Sequence, residues 1–275
     1  MNTLSRLLQD RNLHDAISAL ESRVKSAPAD ADLRAALTQL YCLAGRWQRA
    51  IAQLPAWERL TPIARPTTRL LHQLLEAESA RADTFNGLCA PAFGATPTDW
   101  LALMAKALRL EASGAQQAAH QARTLALDAA PAQSGTVQLA DANEPRQQRF
   151  MWLMDGDCRL GPVCEAILNG IYYWLPFTLI ERIDFQPPQG VIDLIWSHVQ
   201  IRFTDGREQT GHLPARYPLP DNAEESLLLA ARTEWLPTDD DAHYRGIGQK
   251  TWLSESGVFP LQQLRAVCFT PGGAQ

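Results

Sequence analysis

The stretch Leu13-His14-Asp15-Ala16-Ile17-Ser18-Ala19-Leu20 returns 34 positions later as Trp47-Gln48-Arg49-Ala50-Ile51-Ala52-Gln53-Leu54. Leu13 matches Trp47, Ala16 matches Ala50 and Leu20 matches Leu54, and Pro28 and Pro62 keep the same spacing. A bulky residue, a small one three on and a large apolar one four further form a stripe at helical period. The small alanine lets a second helix approach closely, and the bulky residues fill the groove beside it. A repeat of this length points to stacked helical pairs, each burying its apolar face against the next.

The pattern is similar to the tetratricopeptide repeat, with a proline closing each unit. Leu33, Leu37, Leu40 and Tyr41 give the first helix of the second unit its apolar stripe. Gly45 is placed for the tight turn into the next helix, where positive φ is needed. Thr67–Arg81 reads as a further helix, Phe85–Pro97 as a loop rich in Gly, Pro and Ala, and Asp99–Glu111 as a helix carrying Trp100, Leu101, Met104 and Leu108. Gly114 takes a second turn and Pro131 closes a degenerate copy. The first unit is short, with about nine residues before its turn near Asp10–Asn12. Arrays of this kind leave a concave surface for a peptide or helix, and Leu37, Tyr41, Trp47, Arg69, Trp100 and Met104 are the candidate partner-binding residues. The competing reading places the aromatic residues among them in the core.

Residues 129–149 lack periodicity and are rich in Ala, Gln, Pro, Gly, Ser and Asn. The expected division is a helical domain over 1–132, a linker over 133–149 and a second domain over 150–275. Beyond the linker the period shifts towards two. Phe150–Leu153, Tyr172–Phe177, Ile180–Phe185, Val199–Phe203 and Val267–Phe269 read as strands. Asp205-Gly206 reads as a hairpin turn leading into Glu208–Leu213. Short helices are expected at Pro162–Leu168 and Val191–Trp196. The fold class is α+β, a tetratricopeptide-like array followed by a domain with an antiparallel sheet.

In this second half Phe150-Met-Trp152-Leu-Met-Asp155-Gly-Asp157-Cys158-Arg159-Leu160-Gly161-Pro162, then Glu165-Ala-Ile and Asn169-Gly170-x-Tyr172-Tyr173-Trp174-x-Pro176-Phe177, resembles the ImpE/SciE family, also called TagJ. Arg216-Tyr217-Pro218, Arg232-Thr233-Glu234-Trp235 and Gly246-Ile-Gly248-Gln249-Lys250 follow in the same order. One departure is Cys158, where the family pattern has Ser. The resemblance covers nearly the whole chain. It implies an accessory component of the bacterial type VI secretion system, binding the N-terminal helix of the small sheath subunit and touching the handling of sheaths by the ClpV ATPase. It also implies that Trp152, Asp155, Asp157, Arg159, Gly161, Pro162, Glu165, Tyr173, Pro176, Arg232, Glu234 and Trp235 are structural.

Charge and cysteines bound the remaining possibilities. The net charge of −5 divides into +2 over residues 1–140 and −7 over 141–275, so the second half offers no clustered cations for nucleic acid. The basic residues of the first half read as a solvated helix face. No apolar run approaches the roughly 18–20 residues that span a bilayer, and Met1–Arg11 does not read as a signal peptide. Five scattered cysteines without a Cys-x-x-Cys pair suit a reducing cytoplasm. Asp155, Asp157 and Glu165 could be imagined around a cation, but turn formation or an ion pair with Arg159 is the simpler role. Asp239-Asp240-Asp241 reads as a solvated loop. No catalytic motif, cofactor fingerprint or metal-ligand spacing is present, and neither catalytic residues nor cofactors are expected. Three classes stay open: a secretion adaptor, a general helical-repeat scaffold, and an enzyme built on a dyad such as Cys158 or Cys164 with His198 or His212.

Overall fold

Helices form first along the chain because their apolar stripes lie between residues that start and stop them. The computed structural model describes residues 12–140, 146–238 and 243–270. Within these, α1 is Leu13–Ser26, α2 Ala31–Leu43, α3 Trp47–Leu60, α4 Arg65–Phe85, α5 Asp99–Ala112 and α6 Gln116–Ala129. The Asn12 side chain caps α1 by accepting the Asp15 N–H at 2.8 Å, and Asp30 caps α2 by accepting from Asp32 and Leu33. Gly45 and Gly114 stop α2 and α5 with φ of 66° and 80°. The 34-residue repeat sets α1 and α3 in equivalent frames: Leu13 and Trp47 open them, and Ala16 and Ala50 are fully buried. The expected helices over 67–81 and 99–111 fall inside α4 and α5. No helix among the described residues is long and apolar enough to cross a membrane.

The sheet that follows has nine strands, in the order β1-β6-β5-β9-β8-β7-β14-β2-β3. β1 (Ala92–Phe93) lies in the segment expected to be loop and pairs parallel with β6; the other pairings are antiparallel. β2 is Gly135–Leu139, β3 Arg146–Phe150, β5 Val163–Leu168, β6 Ile171–Pro176, β7 Ile180–Phe185, β8 Trp196–Phe203, β9 Glu208–Pro214 and β14 Leu264–Phe269. A smaller sheet joins β4 (Met154–Asp155), β12 (Thr251–Ser254) and β13 (Gly257–Pro260), and β10 (Thr233–Pro237) pairs with β11 (Tyr244–Gly248) as a ribbon. Gly206, with φ of 84°, turns β8 into β9 as the sequence predicts.

Two expectations are corrected here. The expected linker over 133–149 carries two strands among its described residues, since β2 and β3 pair with each other and β2 pairs on to β14. Their polar composition suits the rim of the sheet, where β3 is the outer strand and exposes most of its side chains. The Pro162–Leu168 helix is a strand: all six residues of β5 are buried between β6 and β9. A short apolar run buried on both faces loses the alternation that marks a strand, and the proline before it imitates a helix start. Val191–Leu194 does form a single 3₁₀ turn, and Trp196 already opens β8.

The helices rest on the sheet through a shared apolar core. One cluster joins Leu13, Leu37, Trp57, Leu74, Trp100 and Met104 from the helices to Leu160, Val163, Ile167, Tyr172, Trp174 and Trp196. A second cluster lies within the sheet half, where Trp252 meets Phe177 and Phe185 edge-on.

Candidate functional site

Buried charge marks the seam between helices and sheet. On α4, Leu71, Leu74, Glu78, Arg81 and Phe85 follow one another at helical spacing, so a carboxylate and a guanidinium share the apolar stripe. Arg81 donates to both oxygens of Glu165 on β5, at 2.6 and 3.1 Å, to Glu78 at 3.3 Å and to the Arg216 carbonyl at 3.0 Å. Lys250 donates to Asp155 at 2.8 Å and also to Glu165. Tyr172 donates to Glu165 and accepts from the Trp174 indole at 2.7 Å, while Trp196 donates to Glu78 at 2.8 Å. Tyr217 reaches Asp155 at 2.9 Å.

The electrostatics follow from these contacts. Burial alone would raise the Glu165 carboxyl, but Arg81 and Lys250 outweigh it and hold Glu165 well below the usual carboxylate range. Burial pushes Asp155 up to about 6, although Lys250, its cationic partner among the described residues, opposes this. Burial opposes the Lys250 charge, yet Asp155 and Glu165 raise its ammonium above the ordinary value. Asp157 accepts from Arg159 at 2.6 and 2.9 Å and from the Gly246 N–H at 3.0 Å. The carboxylates that could suggest a cation site are thus tied to the protein's own cations. Among the described residues no cluster suited to a metal ion forms.

Arg216 closes the seam from the other side. Its guanidinium donates to the carbonyls of Leu43 at 2.7 Å and Cys42 at 3.0 Å, at the C-terminus of α2, and to the Leu228 carbonyl. It also lies over the Trp47 ring at 5.6 Å. A cavity of about 350 Å³ opens here, bordered by Arg46, Trp47, Glu78, Arg81, Arg216 and Asp221. On the helical half, a groove of about 450 Å³ runs between α3 and α4, with Leu54 and Pro55 as its apolar wall and Glu58, Arg59, Arg65 and Arg69 among its polar lining.

The candidate partner residues divide unevenly. Leu37, Tyr41, Trp100 and Met104 are buried, because the helices turn their apolar stripe onto the sheet, and they offer no surface to a partner. Trp47 is half-buried and borders the cavity, while Arg69 is exposed and borders the groove. Of the motif residues, Asp155, Asp157 and Glu165 are fully packed, and Arg159 pairs with Asp157. Gly161 turns with φ of 57° where a Cβ would meet Leu127 of α6, and Pro162 leads into β5. Tyr173 and Pro176 lie on β6. Trp152 is half-buried and donates its backbone N–H to Glu255. Arg232 pairs with Glu234, and Trp235 covers Gly156 so closely that a Cβ there would lie 2.2 Å from the ring.

Burial pushes the Cys164 thiol well above its ordinary value, and its sulfur donates to the Glu165 carbonyl, so it is no thiolate nucleophile. His198 and His212 stack on each other across β8 and β9 at 5.1 Å. Asp239–Asp241 and the turn before Asn12 lie outside the described residues. Glu78 and Arg81 belong to no motif, and two charges on an apolar stripe are the signal in the sequence that marks them.

The sequence profile of the ImpE protein family matches residues 147–268. Over 269 residues, 98% of this chain and 91% of the relative, the sequence is 34% identical to the type VI secretion system accessory component TagJ of Pseudomonas aeruginosa. The fold resembles the crystal structure of protein VPA1032 from Vibrio parahaemolyticus, with a TM-score of 0.85, 22% identity and 97% of each chain covered.

Proposed function

This chain belongs to the ImpE/TagJ family, and on that premise we propose that it is a non-catalytic adaptor of the type VI secretion apparatus that grips a helix of the small sheath subunit. Through that grip it links the subunit to sheath assembly or to disassembly by ClpV. The observation that carries the reading is the 34% identity to TagJ along 98% of the chain. The chemistry of the seam is consistent with it, since Glu165, Asp155 and Asp157 are each engaged by a cation of the same chain.

The groove between α3 and α4 supports the helix as the bound element. An amphipathic helix seats its apolar face against a wall such as Leu54 and Pro55, and its acidic side chains would meet Arg59 and Arg69. Arg65 is already paired with Glu58 at 2.7 Å, while Arg59 and Arg69 make no hydrogen bond to a carboxylate among the described residues and can meet a partner. The test is calorimetric titration of a peptide copying the small sheath subunit's N-terminal helix into the full chain. Binding with a Kd of about 10 μM or tighter is expected, and none at roughly tenfold higher concentration would overturn the reading.

A further inference from the structure

The cavity at the seam holds more positive charge than its own carboxylates use. Arg216 is only 3% exposed, and its three hydrogen bonds all go to backbone carbonyls rather than to a carboxylate. A guanidinium buried in this way ordinarily has an anion beside it. Arg46 borders the same cavity, and its guanidinium makes no hydrogen bond or ion pair among the described residues. The acidic groups bordering the cavity do not fill this need. Glu78 spends one oxygen on the Trp196 indole and the other on Arg81, and Asp221 is exposed. Arg81, the third cation, is matched by Glu165 behind it. Burial draws the Arg216 guanidinium down to about 10, with Glu78 opposing only in part, which is the behaviour of a cation short of counter-charge.

We infer that the cavity between the α2–α3 turn and residues 216–221 binds a compact oxyanion, a phosphate, sulfate or small carboxylate, held between Arg46 and Arg216. The volume of about 350 Å³ admits such an ion with its remaining waters. Arg46 belongs to the helical half and Arg216 to the sheet half, so a bound oxyanion ties the two together. It therefore stabilises the folded chain in proportion to its occupancy. Nothing in this inference depends on the sheath partner, and its failure would leave the adaptor reading untouched.

The experiment uses the full chain without partner. Equilibrium dialysis against labelled phosphate, with chloride keeping the ionic strength constant, reads stoichiometry and affinity directly. Wild type should take up one phosphate per chain, and acetate should displace it if carboxylates are also accepted. Arg46→Gln should weaken binding by about tenfold, because a charge-assisted contact is lost while no contact within the fold is disturbed. Arg69→Gln, on the separate α3–α4 groove, should bind phosphate as wild type does. Thermal unfolding should show a saturable rise in Tm with phosphate, whereas exclusion of phosphate from the protein surface gives an unsaturable one. Absence of stoichiometric uptake, or equal affinity in wild type and Arg46→Gln, would overturn the inference.

Discussion

Arg81 on α4 grips Glu165 on β5 with two hydrogen bonds, of 2.6 and 3.1 Å, across 84 residues of sequence. Both side chains are almost wholly withdrawn from water. Desolvating such a pair costs nearly as much as its attraction returns, so its net contribution to stability is small. Its larger consequence is registry. Lys250 and Tyr172 also bond Glu165, so the seam tolerates one alignment of α4 against the sheet.

Glu165→Gln is expected to lower unfolding stability by about 3–5 kcal/mol at neutral pH, because Arg81 and Lys250 stay buried with less counter-charge. Arg81→Met should cost a similar amount, and the double variant less than the sum of the two. Urea denaturation of the full chain measures all three. Strict additivity would mean that the two residues do not act as a unit.

Asp155 supplies a pH dependence of unusual sign. Its folded-state pKa of about 6 lies above the ordinary 3.8, so the fold favours its protonated form. Its contribution to stability is therefore full below about pH 4 and fades as pH rises through 6. Glu165 runs the other way, with its carboxyl held below the ordinary 4.5, and its contribution fades as the solution becomes acid. The difference in stability between wild type and Asp155→Asn should move in favour of the variant, by on the order of 3 kcal/mol, between about pH 4 and 7. Urea midpoints at several pH values check this. A difference independent of pH would remove Asp155 as the titrating group.

Much of the architecture could be read from period alone. Leu13, Ala16 and Leu20 and their counterparts at 47, 50 and 54 placed two helices in register, and Ile180–Phe185 coincides with β7. Where tertiary burial decided the outcome, local pattern failed. Val163–Leu168 is buried on both faces and so lacks a strand's alternation, and the polar segments 135–139 and 146–150 become strands only because β14 and the rim of the sheet receive them. Four of the six candidate partner residues are buried for the same reason. Leu37, Tyr41, Trp100 and Met104 lie on an apolar stripe that the chain's own sheet covers, and the periodicity of a stripe does not say what covers it. Asp155, Asp157 and Glu165 stand out as motif residues, and the Asp157–Arg159 pair is local, but Arg81 and Lys250, the cations of Glu165 and Asp155, come from distant segments that only the fold brings near.

The shared core bears on whether the halves can be separated. A fragment of residues 1–132 loses Leu160, Val163, Ile167, Trp174 and Trp196 from its apolar cluster, and α2 loses the Arg216 contacts to its terminal carbonyls. The fragment is expected to keep helical circular dichroism, bind a hydrophobic dye and unfold without a sharp transition. A cooperative transition within a few degrees of the full chain's Tm would instead establish 1–132 as an independent domain.

The last prediction separates the adaptor role from the place of binding. Arg69 lines the α3–α4 groove and is exposed, and Ile63, 88% exposed in the turn that follows α3, is the chain neighbour of the groove-lining Pro62. Neither supports the core, so Arg69→Glu and Ile63→Asp should change stability by no more than about 0.5 kcal/mol. If the sheath helix lies in this groove, Arg69→Glu replaces an attraction to its acidic side with a repulsion, and Ile63→Asp removes apolar contact. Each should weaken the peptide by about tenfold or more. Leu125, 60% exposed on α6, is the control, and Leu125→Asp should leave the Kd unchanged. Binding that survives both groove variants but falls with Leu125→Asp would move the site to α6 without touching the adaptor reading, because the family relationship and the groove are independent supports.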